Sequence, residues 1–241
     1  MTTERGVSEV GLEIDRRGIA RFSSDELPVK HGFSTMWLGN MSEKHGEEKT
    51  AKANRGRFLF YLAFLPTKTV RMIPRHTDKI EFVDPGDAGQ SIECDALITS
   101  WPSLGLALLP ADCFPVIIRG NNNLHQSFVA LVHAGRGGTR LSIVAKTIRK
   151  MMLNCAVRKS SIKVYIGPGI GPCCYNGTDL VSEIVTQVMG EGVEARNIVV
   201  SNCCTYCSTD SNGEFLFFSH ARHTREENQP GGRFMAFVSL R

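Results

Sequence analysis

Three short stretches far apart in the chain carry side chains that ligate soft metals or serve as nucleophile and base. They are His76 in Ile73-Pro74-Arg75-His76, Cys113 in Pro110-Ala111-Asp112-Cys113, and His133 in Leu131-Val132-His133-Ala134-Gly135. Two imidazoles and a thiolate make a three-ligand zinc site that keeps a fourth position open for water or substrate. A Cys and a His brought together are equally a nucleophile and its base. Both chemistries are catalytic, and both require the three stretches to meet in space. A lone His or Cys is more often structural than catalytic, so context decides. His133 closes the apolar run Phe128 to Val132 and precedes Ala134-Gly135, where a buried strand surfaces into a tight turn. Cys113 stands at the entrance of another apolar run, Phe114 to Ile118. Asp112 is a weaker candidate to orient an imidazole or accept a proton, since an Asp there also fits the start of a turn.

The elements that must position these residues are readable from periodicity. Residues 47–65 place Ala51, Phe58, Leu59 and Leu62 on one face and stop at Pro66, as a helix does. Strand-like runs cover 69–73, 95–99, 114–118 and 127–133, and several end at the residues of interest. The stretch 139–152 has Leu141, Val144, Ala145, Ile148, Met151 and Met152 at helical spacing. A strand at 162–166 then runs into Gly167-Pro168-Gly169-Ile170-Gly171-Pro172, a rigid turn rather than a phosphate loop because its prolines lack N–H groups. A helix capped by Thr178 should end at Gly190, followed by strands at 197–201, 214–218 and 233–240. Strands dominate without regular βαβ alternation, which predicts an α+β fold in a single domain spanning 1–241.

Bulk properties narrow the function. The chain has 241 residues, 42% of them hydrophobic and 22% charged, as ordinary globular proteins have. Its net charge of +4 suits an anionic substrate, but Lys and Arg are dispersed, so a nucleic-acid surface is not expected. The longest apolar run, 58–65, is too short to span a bilayer, and residues 1–15 lack the basic start and apolar core of a signal peptide. Eight cysteines without an export signal read as free thiols or ligands in a reducing compartment, the cytoplasm. Cys204-Thr205-Tyr206-Cys207 is a C-x-x-C, but the adjacent pair Cys173-Cys174 does not supply the second C-x-x-C of an ordinary Cys₄ zinc site, so none is expected there. Of the remaining histidines only His220 and His223 have suggestive spacing, and nothing points to an obligate protein partner.

Taken together, the segments resemble the laccase-domain (YfiH-like) family. The matching stretches are His31-Gly32-Phe33-Ser34-Thr35, Asn54-Arg55, Asp95-Ala96-Leu97-Ile98-Thr99, Ala111-Asp112-Cys113-Phe114-Pro115-Val116, Val132-His133-Ala134-Gly135, Ile166-Gly167-Pro168-Gly169-Ile170-Gly171-Pro172-Cys173, Phe217-Phe218-Ser219-His220 and Gly232-Arg233. The resemblance implies two packed mixed β-sheets flanked by helices, layered α/β/β/α, with a metal site at His76, Cys113 and His133. It also implies phosphorolysis of purine nucleosides, methylthioadenosine included, and deamination of adenosine.

This sequence departs from the family pattern where charge and packing meet the ligands. The usual His-Ala-Gly-Trp-Arg-Gly reads His133-Ala134-Gly135-Arg136-Gly137-Gly138, and other family positions are filled by Pro74, Met36, Asn176 and Ala221. The substrate-binding residues expected are therefore Arg136, Arg222 and Arg233, with Arg75 and Arg140 as further replacements for lost charge. The leading expectation is a zinc-dependent nucleoside phosphorylase acting on a purine nucleoside and phosphate. The alternatives are a Cys-His amide hydrolase acting on a cell-wall precursor, a single-copper phenol oxidase, and a non-catalytic metal- or nucleoside-binding protein. A four-copper oxidase is excluded, because it needs more histidines than the seven present.

Overall fold

The computed structural model describes residues 6–23 and 25–240; the first five residues of the segment read above as lacking a signal peptide lie outside them. Among the described residues, fourteen strands and five α-helices are formed. The strands are β1 Ser8–Val10, β2 Glu13–Ile14, β3 Ile19–Arg21, β4 Lys30–Ser34, β5 Thr69–Ile73, β6 Ile80–Phe82, β7 Ser91–Glu93, β8 Ala96–Thr99, β9 Gly105–Leu108, β10 Phe114–Asn121, β11 Ser127–Ala134, β12 Lys163–Ile166, β13 Ile198–Ser201 and β14 Ala236–Ser239. The helices are α1 Glu48–Tyr61, α2 Arg136–Arg140, α3 Ile143–Cys155, α4 Leu180–Gly190 and α5 His220–Arg225.

Two seven-stranded sheets result, ordered β1-β13-β12-β10-β11-β8-β6 and β2-β3-β4-β14-β9-β5-β7. Both are mixed: β10 pairs antiparallel with β11 and β12, while β12 and β13 run parallel; β14 pairs antiparallel with β4 and β9, while β9 and β5 run parallel. Strand alternation divides the apolar residues between two faces. Leu97, Ile117, Val129, Leu131 and Tyr165 of the first sheet meet Phe33, Val70, Leu106 and Val238 of the second. On the outer face of the first sheet, Val116, Ile118, Ala130 and Val132 receive Ile148 and Met151 of α3 and Ile184 and Val188 of α4. On the outer face of the second, Phe58 and Leu59 of α1 pack on Ala107 and Phe237. The fold is thus the α+β arrangement of two mixed sheets flanked by helices, layered α/β/β/α.

Local differences from the sequence reading have physical causes. The single helix read over 139–152 is two: Ser142 adopts the left-handed region at φ 59° and separates α2 from α3. Asp179 rather than Thr178 caps α4, its carboxylate accepting the Ser182 N–H at 3.0 Å. The strand read at 214–218 does not form. Phe215 makes one isolated bridge with Thr209, while Leu216, Phe217 and Phe218 are buried as irregular chain leading into α5. Short strands β1 to β4, β6, β7 and β9 complete the sheets without a strong run of their own.

Candidate metal centre

The ends of β5, β10 and β11 converge. The chain leaving β5 turns at His76, which holds φ 58°; Asp112, with φ 82°, delivers Cys113 to the start of β10; His133 lies near the end of β11. Positive φ at non-glycine residues costs free energy, and such positions concentrate at functional sites. One ligand atom from each of His76, Cys113 and His133 lies within 4.8 Å of the others. The imidazoles of His76 and His133 stand edge to face, with centroids 4.9 Å apart. Burial is graded, from exposed His76 through half-buried Cys113 to buried His133, so the site opens to solvent on the His76 side.

Asp95 organises the centre, and it is the functional residue the sequence reading missed. Its Oδ1 accepts the His76 N–H at 3.0 Å and contacts His133 Nδ1 at 2.9 Å; its Oδ2 accepts the Thr77 N–H and hydroxyl, each at 2.8 Å, and the Arg75 N–H at 3.2 Å. The Asp95 carbonyl also accepts the His133 N–H at 2.8 Å. Burial opposes its charge, but the hydrogen bonds from His133 and from Thr77 hold the carboxyl below the usual carboxylate range. A carboxylate on Nδ1 leaves Nε2 as the donor atom of His133 and fixes the ring, the arrangement found behind metal-ligating histidines. Burial likewise lowers the His133 pKa, which favours the neutral imidazole a metal requires. Burial and the neighbouring Asp112 push the Cys113 thiol up to about 12, so a thiolate here needs a cation beside it. Donor types, the carboxylate behind His133 and the open side of the cluster all fit a catalytic zinc.

Glycine supplies the room. A Cβ on Gly135 would stand 2.6 Å from Cys113 Sγ and 3.1 Å from His76 Nδ1, and one on Gly137 would stand 3.2 Å from the His76 Cβ and carbonyl oxygen. Asp112 does not orient an imidazole. Its carboxylate instead accepts the Thr205 hydroxyl at 2.8 Å and the Ala221 N–H at 2.7 Å.

The three candidate ligands sit in a cleft of about 840 Å³ that also presents Lys44, Arg71, Arg75, His220 and Arg233. A second cleft, of about 610 Å³, contains none of the three. Of the arginines expected to bind substrate, Arg233 lines the first cleft. Arg136 is exposed on α2 and lies outside that lining. Arg222 lies outside that lining as well: it is 1% exposed, stacks 3.8 Å over the Phe215 ring, and donates to the carbonyls of Thr205, Tyr206 and Phe217. Arg71 pairs with Glu43 at 3.0 Å and Arg75 with Glu93, whereas the charge of half-buried Arg233 bears on both Cys113 and His133. Asn54 and Arg55 hold the cleft rim from behind, donating to the carbonyls of Asn40 and Met41 at 2.8 and 2.6 Å. Despite their spacing along the chain, Cys173, Cys174, Cys204 and Cys207 come together, their sulfurs within 4.8 Å of one another.

The family model described as multi-copper polyphenol oxidoreductase laccase matches residues 30–181, and the chain belongs to this family. A Corynebacterium glutamicum protein named purine nucleoside phosphorylase is 34% identical over 181 residues, covering 70% of this chain and 69% of its own. The Geobacillus stearothermophilus protein YlmD, also named purine nucleoside phosphorylase, is 29% identical with 89% of each chain covered. The crystal structure of YlmD superposes with a TM-score of 0.83, covering 95% of this chain and 98% of that one at 26% identity. That of Bacillus licheniformis YfiH, at 24% identity and TM-score 0.82, shares the fold.

Proposed function

We propose that this chain is a metal-dependent purine nucleoside phosphorylase, with zinc held by His76, Cys113 and His133 and copper as the alternative occupant. The observation that carries the reading is the convergence of those three donors, backed by Asp95, in a cleft that also presents Arg71, Arg75 and Arg233. The names of the two relatives point the same way. The cleft volume, about 840 Å³, suits a nucleoside together with phosphate.

In phosphorolysis a phosphate oxygen bonds to the anomeric carbon as the carbon–nitrogen bond to the purine breaks. The base leaves with the bonding pair and takes up a proton. Arg233 provides the charge-assisted hydrogen bonds that hold phosphate, while Arg71 and Arg75, paired with Glu43 and Glu93, line the same cleft. Asp95 fixes the His76 backbone and the His133 ring, so that the ligand set is preorganised before anything binds. Bound at this centre, zinc would supply Lewis acidity. With water as the nucleophile at the purine carbon bearing the amine, the exocyclic carbon–nitrogen bond breaks, the nitrogen takes the water's proton and leaves as ammonia, and the same cleft converts adenosine to inosine; methylthioadenosine enters through the phosphorolytic route. The Cys-His hydrolase is disfavoured because burial pushes the Cys113 thiol up, opposite to what an unaided nucleophile needs.

The test incubates zinc-loaded protein with adenosine, with and without phosphate, and identifies products by chromatography and mass. Adenine and ribose 1-phosphate formed only with phosphate, and lost in His133→Ala, are expected; inosine formed without phosphate reports the deaminase. Neither product from protein that retains its zinc would overturn the reading in favour of a binding protein.

A further inference from the structure

Outside the cleft, the described residues bring together a set of four thiols. β12 and β13 are parallel neighbours, with Ile166 opposite Val200, so the loops that follow them emerge side by side. One loop carries Cys173 and Cys174, the other Cys204 and Cys207. They are stitched together by the Gly169–Cys204 bridge and by the Thr205 N–H donating to the Gly169 carbonyl at 3.0 Å. Backbone topology thus supplies what the sequence spacing lacks, because an adjacent pair on one loop faces a C-x-x-C on the other.

We propose that Cys173, Cys174, Cys204 and Cys207 form a second, closed zinc site that clamps these two loops. With zinc–sulfur bonds of about 2.3 Å, a tetrahedron places its sulfurs about 3.8 Å apart. Cys173 and Cys207 already stand at 3.8 Å, and every sulfur pair lies within 4.8 Å. Backbone donors converge on one of the four sulfurs, as they do around metal thiolates. Gly171 donates its N–H to Cys204 Sγ at 3.2 Å, and the N–H groups of Tyr206 and Cys207 turn to the same sulfur. Gly171 is small for a reason, since a Cβ there would stand 3.2 Å from Cys173 Sγ. Arg225 donates to the Cys174 carbonyl at 2.9 Å, which brings a positive charge to a centre that would carry two net negative charges.

The clamp reaches the first centre through Thr205, which lies between two of the ligands. Its hydroxyl donates to Asp112 beside Cys113, and its carbonyl is held by Arg222. The four-cysteine site therefore positions a ligand of the other centre without touching substrate.

The two sites separate cleanly in the variant His76→Ala/His133→Ala, which removes two ligands of the first and none of the second. Purified reduced and reloaded with zinc, this variant is expected to hold one ion per chain, against two in the unaltered protein. X-ray absorption should show that ion bound by four sulfurs, and cobalt substitution should give the absorption of a tetrahedral thiolate site. Adding Cys204→Ser and Cys207→Ser should abolish this binding while circular dichroism reports the retained fold. An empty variant, or one whose ion is bound by nitrogen and oxygen, would overturn the proposal, as would disulfide pairing of the four cysteines in reduced preparations. The absorption and cobalt measurements need no cysteine substitution, so a misfolded cysteine variant leaves the decision intact. Failure of the nucleoside assay has no bearing on these readouts.

Discussion

At the scale of single residues, the candidate centre is a problem of space as much as of donors. Three ligand atoms converge from three chain segments, and the Gly135 backbone passes close to two of them. Its φ of −92° is open to any residue, so the demand is for volume alone. Gly135→Ala forces a methyl against Cys113 Sγ, and the strand end or the ligands must move. Changes behind metal ligands typically cost ~10- to 100-fold in affinity, and Gly135→Ala should weaken zinc by about that factor in competition with a chromophoric chelator. An unchanged affinity would show that the ligand set does not bind zinc through the geometry described. The donors were legible in the sequence because His and Cys in otherwise apolar contexts are conspicuous. Asp95 was not, because it was read only as the first residue of a strand; its five side-chain contacts come from residues 18 to 38 positions away.

Among elements, legibility followed the strength of local periodicity. β10 and β11 are continuous apolar runs, and α3 and α4 carry apolar stripes that pack on one sheet face, so all four were readable within a few residues. The short edge strands were not, because a three-residue segment such as β6 or β7 owes its conformation to the neighbour it pairs with rather than to its own side chains. The break between α2 and α3 was hidden for a related reason: apolar spacing continues across Ser142 while the backbone turns left-handed. The four cysteines teach the same lesson, since register between β12 and β13 brings together what spacing along the chain keeps apart. α1 is the sole α-helix in the cluster on the outer face of the second sheet, and Phe58, fully buried, is its anchor. Phe58→Ala leaves a cavity between α1 and β14, at a cost of about 3–5 kcal/mol. Chemical denaturation should show that loss with little change in bound zinc. Because Asn54 and Arg55 on the same helix hold the cleft rim, a rise in substrate KM should accompany it. A variant as stable as the parent would remove α1 from the core.

Across the whole molecule, a net charge of +4 is modest, and its arrangement matters more than its size. No helix among the described residues is long and apolar enough to cross a membrane, and the cations are dispersed except where the cleft gathers Lys44, Arg71, Arg75 and Arg233. Two of these are already partnered, Arg71 by Glu43 and Arg75 by Glu93, which screens them from an incoming anion. Arg233 is held differently: its backbone N–H donates to Asn40 Oδ1 at 3.0 Å and its carbonyl accepts the Met41 N–H at 3.0 Å, so the rim loop fixes its place. Its charge faces the metal donors from within a half-buried wall, where water screens it less. If phosphate is the second substrate, Arg233 should carry most of its binding. A hydrogen bond to a charged group contributes about 1.5–3 kcal/mol, so Arg233→Ala should raise the phosphate KM by roughly 10- to 100-fold, at about 1.4 kcal/mol per decade. The nucleoside KM and the zinc content should change far less. The same substitution should flatten the loss of phosphate affinity with added salt, whereas Arg136→Ala, on the exposed face of α2, should leave both quantities as they were. Equal effects of the two substitutions would mean that phosphate enters by way of α2, and that the arginine displaced by one position in the His133 segment still does the work of the one it replaced.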